Sequence, residues 1–134
     1  MIRYLIIHCT ATRRSQRVSV ADIDRWHRAQ GWNGCGYHYV ITPDGTIHPA
    51  RPVYEAGAHC RGYNTQSIGI VYTGGLTDDG LPADTRTEAQ RLALRTLLHG
   101  LRRLFPDAKI VGHRDLNPAK QCPCFDASHE FRGI

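Results

Sequence analysis

Two short apolar runs, RYLIIH near the start of the chain and AKIVGH near residue 113, each finish on a histidine. Compact apolar runs of this kind read as buried strands. If the two strands are neighbours in one sheet, the imidazoles of His8 and His113 converge at a single edge. That requirement narrows the possible folds, because the strands lie at opposite ends of the sequence and everything between must pack around them.

The intervening sequence supplies helices and further strands. Ser19 can cap a helix running to about Gln30, with Asp22 at the third position and Val20, Ile23 and Trp26 on one face. Gly31 is a natural stop. YHYVI and TIHP flank a Pro-Asp-Gly turn and predict a β-hairpin. The polar stretch ARPVYEAGAHCRGYNTQ has no periodicity, and connections of that length in a compact domain are often functional. SIGIVYTG is a further strand, closed by Gly74 and Gly75. Thr87 and Gln90 form a capping box for a second helix, whose Leu94, Leu97, Leu98, Leu101 and Leu104 follow helical spacing toward a core. Alternating strands and helices predict an α/β fold, one domain over residues 1–134, with a mixed central sheet flanked by helices.

Composition bounds the partners. A chain of 134 residues with 41% hydrophobic content supports one sizeable core. Its net charge of +5 favours acidic partners without naming one. No helix-turn-helix, finger or aromatic-basic motif is present, which argues against a nucleic-acid partner. The N-terminal apolar run is too short for a signal-peptide core, and no stretch approaches the about 18 apolar residues of a membrane span. These features predict synthesis in the cytoplasm and no membrane insertion. Five cysteines are an odd number without framework spacing, so thiols or metal ligands are expected rather than disulfides.

The stretch GHRDLNPAKQCPCFD adds Cys122 and Cys124 to the histidine at 113. Two histidines and one cysteine make a three-ligand zinc set whose fourth position is left to water, the mark of a catalytic site. Thiolate and imidazole suit zinc better than magnesium or calcium. The competing reading is plain packing: strand-end histidines are usually hydrogen-bonded, and cysteines are commonly buried as small apolar groups.

IIHCTAT, QGWNGCGYHYVITPDGTI, GAHCRGYNTQSIGI and GHRDLNPAKQCPCFD occur in this order, from the first strand to Phe125. In these motifs the chain resembles the type 2 N-acetylmuramoyl-L-alanine amidases, in particular the phage amidases, whose fold animal peptidoglycan recognition proteins share. The resemblance implies that His8, His113 and Cys122 bind one zinc ion and that Tyr37 and Lys120 are catalytic. It aligns the ligand cysteine with the residue before Pro123, leaving Cys124 a spectator. Between His113 and Lys120 this chain has one residue more than the coliphage pattern. The Gly-rich loop carrying His59 and Asn64 is implied to lie beside the substrate groove.

The implied substrate is bacterial peptidoglycan, cut in the periplasm or cell wall at the amide between N-acetylmuramic acid and L-alanine. A monomeric phage or prophage endolysin is expected, with an exported bacterial effector as the alternative. A non-catalytic peptidoglycan-binding protein on the same scaffold is the competing function. His38 follows Tyr37 in what reads as a strand, so alternation predicts opposite faces. His27 is expected to be structural or superficial, and Cys9 to point into the core.

Overall fold

The computed structural model describes residues 1–134. In chain order the elements are β1 (Tyr4–Cys9), β2 (Thr12–Arg13), α1 (Val20–Ala29), β3 (Tyr39–Ile41), β4 (Ile47–Pro49), β5 (Ser67–Tyr72), β6 (Gly75–Leu76), α2 (Glu88–Leu104), β7 (Lys109–Gly112), α3 (His113–Leu116) and α4 (Ala127–Glu130). A 3-10 turn over Asn64–Gln66 leads into β5.

Five strands form one sheet in the order β4-β3-β5-β1-β7. β1 is parallel to both β5 and β7, β3 is parallel to β5, and only the edge strand β4 is antiparallel. β1 and β5 are apolar along nearly their whole length because both faces of the sheet are covered there. The mixed sheet and flanking helices agree with the expected single α/β domain. β2 and β6 pair separately as a two-residue parallel ladder, too short for any periodic pattern to announce.

Strand alternation assigns the faces. Leu5, Ile7 and Cys9 of β1 point to the same side as Ile68, Ile70 and Tyr72 of β5, where Leu94, Leu98 and Leu101 of α2 pack on them. Full burial of each such leucine stabilises by about 1.5–3 kcal/mol. Leu97 is only partly buried and Leu104 is 67% exposed, so the apolar stripe of α2 stops a turn earlier than its spacing suggests. The opposite face carries Val40 and Val71 against Val18 and Ile23 of the α1 region. Trp26 does not join them: it is 36% exposed, and Ile23 with His27 forms the buried face of α1.

Both capping boxes form. The Ser19 hydroxyl accepts the Asp22 N–H while the Asp22 carboxylate accepts the Ser19 N–H, and Thr87 and Gln90 repeat the exchange at α2. The hairpin β3–β4 turns through Gly45 at φ +83°, a left-handed conformation that glycine adopts without a Cβ penalty. After β7 the chain does not continue as plain loop. It makes the short helix α3, crosses a cis Cys122–Pro123 bond, and ends in α4.

The C-terminal segment is held by Arg86, whose side chain is fully buried. Its guanidinium bonds Asp84 and both Glu130 carboxylate oxygens, and stacks 3.4 Å from the centroid of the Phe125 ring. The Tyr72 hydroxyl donates to the Pro123 carbonyl at 2.7 Å, tying the same segment to β5.

Candidate active site

β1 and β7 are adjacent and parallel, with Ile7 opposite Gly112. The next residues in each chain, His8 and His113, therefore leave the same sheet edge side by side. Their ring centroids are 4.7 Å apart. In an open parallel sheet the carboxyl ends of the strands are where ligand sites form.

Cys122 completes the group. Ligand atoms of His8, His113 and Cys122 all lie within 4.8 Å of one another, and Nδ1 of His8 is 3.8 Å from Sγ of Cys122. Sγ also accepts the backbone N–H of Cys9 at 3.2 Å. Cys124 is turned elsewhere. At φ +69° it aims Sγ at Cys9 Sγ, 4.0 Å away, and at the Gly75 carbonyl. Burial, with Cys9 beside it, pushes the Cys124 thiol up to about 12.

Donor chemistry fits a metal ion. Burial, followed by the neighbouring His59 and His113, holds the His8 imidazole well below its usual range. Burial and the Lys120 charge lower His113 as well. Both rings are thus in the neutral form that a metal requires. These three residues could hold a metal ion.

Tyr37 stands over this centre, its ring centroid 5.2 Å from that of His8 and 5.4 Å from that of His27. Burial raises its phenol far above the ordinary value, so the hydroxyl remains a proton donor. The loop before β3 is shaped by His27, whose Nδ1 accepts the Gly36 N–H at 2.8 Å and whose ring meets Trp32 edge-on. His27 is therefore a buried support for the Tyr37 loop.

Because β3 starts only at Tyr39, strand alternation does not separate Tyr37 from His38. Both rings approach His59, with centroids at 6.4 and 5.8 Å. His38 is buried and fully bonded: its Nδ1 accepts the Gly69 N–H and its Nε2 meets the Glu55 carbonyl at 2.8 Å.

A groove of about 650 Å³ opens beside the centre, bordered by Trp32, His59, Asn64, His113, Asn117 and Lys120. A larger hollow, about 730 Å³, lies between the Arg14–Asp22 stretch and the hairpin turn at Pro43, and holds none of the candidate residues. Chemistry favours the groove. Within it, the His59 ring also reaches inward to His8, and Asn64 Oδ1 accepts the backbone N–H groups of His59 and Cys60, both at 2.9 Å.

Ser67 and Gly69 also lie against His59, and no motif in the sequence marks them as site residues. The signal for them is a glycine set between two isoleucines inside a strand, which often marks close approach of another group.

Imidazoles and a thiol that could hold a metal ion thus gather beside a groove at the sheet edge of a mixed α/β domain, the makings of a metal-dependent enzyme centre. Residues 1–125 match the model of the N-acetylmuramoyl-L-alanine amidase family, and the chain belongs to that family. It is 42% identical over 120 residues to an endolysin of Enterobacteria phage K11, covering 90% of this chain and 79% of that one. To the endolysin of Escherichia phage T7 it is 41% identical over 122 residues, covering 91% and 80%. Among solved structures, the N-acetylmuramoyl-L-alanine amidase LysC from Clostridium intestinale URNW superposes with a TM-score of 0.82 at 27% identity, over 96% of this chain and 80% of that one.

Proposed function

We propose that the protein is a zinc-dependent peptidoglycan hydrolase, cutting the amide between the lactyl group of N-acetylmuramic acid and the L-alanine of the stem peptide, as an endolysin does. One observation carries the reading: His8, His113 and Cys122 converge beside a groove that His113 and Lys120 line, with the Tyr37 ring against His8. Relatives named endolysin at 42% and 41% identity support the assignment to cell-wall cleavage. No helix is long and apolar enough to cross a membrane.

His8, His113 and Cys122 are the zinc ligands in this proposal. A zinc ion held there would supply Lewis acidity toward the scissile carbonyl and would lower the pKa of water toward neutrality. The chain's own groups do the rest. Lys120 brings a positive charge to the groove wall, suited to the oxyanion that develops on the carbonyl oxygen. Tyr37, kept protonated by burial, donates its hydroxyl to the same region. His59 and Asn64 border the groove where the stem peptide lies.

The test combines elemental analysis of protein purified without added metal with mass spectrometry of the products from purified peptidoglycan. One zinc per chain, and free stem peptides with intact glycan strands, are the expected results. Intact glycan still carrying its peptides would reduce the protein to a binder.

A further inference from the structure

His8 is bonded at both ring nitrogens, and the second bond begins a buried chain. Nε2 of His8 lies 2.8 Å from Nδ1 of His59; Nε2 of His59 lies 3.2 Å from Oγ of Ser67; and Oγ of Ser67 donates to the Tyr63 carbonyl at 2.8 Å. All three side chains are buried.

The direction of this chain follows from its last member. A carbonyl oxygen only accepts, and its two lone pairs suffice for the Ser67 hydroxyl and the Gln66 N–H, which also points at it. With its one proton committed, the Ser67 oxygen accepts, so the proton on His59 lies at Nε2. His59 Nδ1 then carries a lone pair, and His8 must present N–H at Nε2. The lone pair of His8 is left at Nδ1, the nitrogen that faces Cys122.

We propose that Ser67 and His59 are positioning residues that lock His8 in the Nε2–H tautomer, so that Nδ1 is its ligand atom before any metal arrives. The surroundings of His59 fit this role. A Cβ on Gly69 would come within 2.6 Å of Cγ and Cδ2 of the His59 ring, so the strand is bare where the imidazole lies against it. Glycine inside a strand weakens it, and here close approach of the ring explains the residue. Asn64 fixes the loop from the other side by binding the His59 N–H. Outer partners of this kind set ring orientation and tautomer, and their loss costs about 10- to 100-fold in metal affinity.

The proposal rests on His8 being a metal ligand, but its first test does not need the metal. In metal-free protein labelled with 15N on histidine, two-bond 1H–15N correlations should show both His8 and His59 protonated at Nε2. His8 protonated at Nδ1 overturns the proposal. Zinc affinity is then measured by chelator competition. Ser67→Ala and His59→Leu should each weaken it about 10- to 100-fold. His59→Asn, which returns an acceptor near the Nδ1 position, should recover most of the loss, as a purely structural role would not require. Parental affinity in folded Ser67→Ala overturns the proposal even if His59→Leu fails to fold. Protein that binds zinc normally with His8 in the stated tautomer, yet leaves peptidoglycan uncut, would sink the amidase reading and leave this one standing.

Discussion

The backbone N–H of Cys9 points at Sγ of Cys122 from 3.2 Å, joining β1 to the loop beyond β7 across 113 residues of sequence. The same sulfur is 3.8 Å from Nδ1 of His8, whereas the sulfur of Cys124 meets Cys9 Sγ at 4.0 Å. Cys122→Ser is therefore expected to lose both zinc and activity, and Cys124→Ser to keep both nearly intact. Metal content and wall-clearing rate of the two variants check this, and the reverse pattern would reassign the ligand.

Tyr37→Phe and Lys120→Ala should retain zinc and fold while losing turnover. Loss of one oxyanion donor costs on the order of 100- to 1,000-fold. Lys120 borders the same groove as His113. Parental turnover in both variants, with zinc unchanged, would leave the metal alone responsible for the chemistry.

Arg86 is expected to matter to stability rather than to chemistry. Arg86→Ala removes a buried guanidinium that joins Asp84, Glu130 and Phe125. Breaking a buried ion pair costs about 3–5 kcal/mol, and the lower end applies because both carboxylates can still reach water. Arg86→Met, which keeps apolar volume over the Phe125 ring, should lose less. Urea unfolding of the two variants beside the parent provides the comparison.

Acid should loosen the hairpin through Asp44. The Thr42 hydroxyl, followed by the Thr46 N–H, holds its carboxyl down at about 2. A carboxyl lowered by folding contributes stability above the ordinary carboxylate range, near pH 4, and that contribution is lost as pH falls toward 2. The melting temperature of Asp44→Ala should therefore lie below the parent's at neutral pH, with the gap closing between about pH 4 and pH 2. A gap that is constant with pH would assign the difference to something other than this carboxylate.

Local chemistry made much of this legible from residues alone. Ser19 with Asp22, Thr87 with Gln90, and the Pro-Asp-Gly turn each act within four positions, and all three form the expected structures. The convergence of His8 and His113 was legible because two apolar runs carried the same residue at the same end. What escaped depends on distant partners. The bonding of His59 to Ser67 and His8 arises only once the loop folds back on β5, and no period in the sequence encodes that contact. Trp26 and Leu104 satisfied helical spacing but lie at the margins of their buried faces, where a stripe cannot say how far the core extends.

The placement of β1 between β5 and β7 has a consequence for the growing chain on the ribosome. β1 is made before both of its neighbours, and Cys122 after all of them. Pairings between parallel strands so far apart in sequence are slow, because loop closure must precede any reward. A nascent chain thus carries His8 through the synthesis of β5 and β7 without the sulfur that completes the group. The sulfur is delivered last, once every strand of the sheet has already been made.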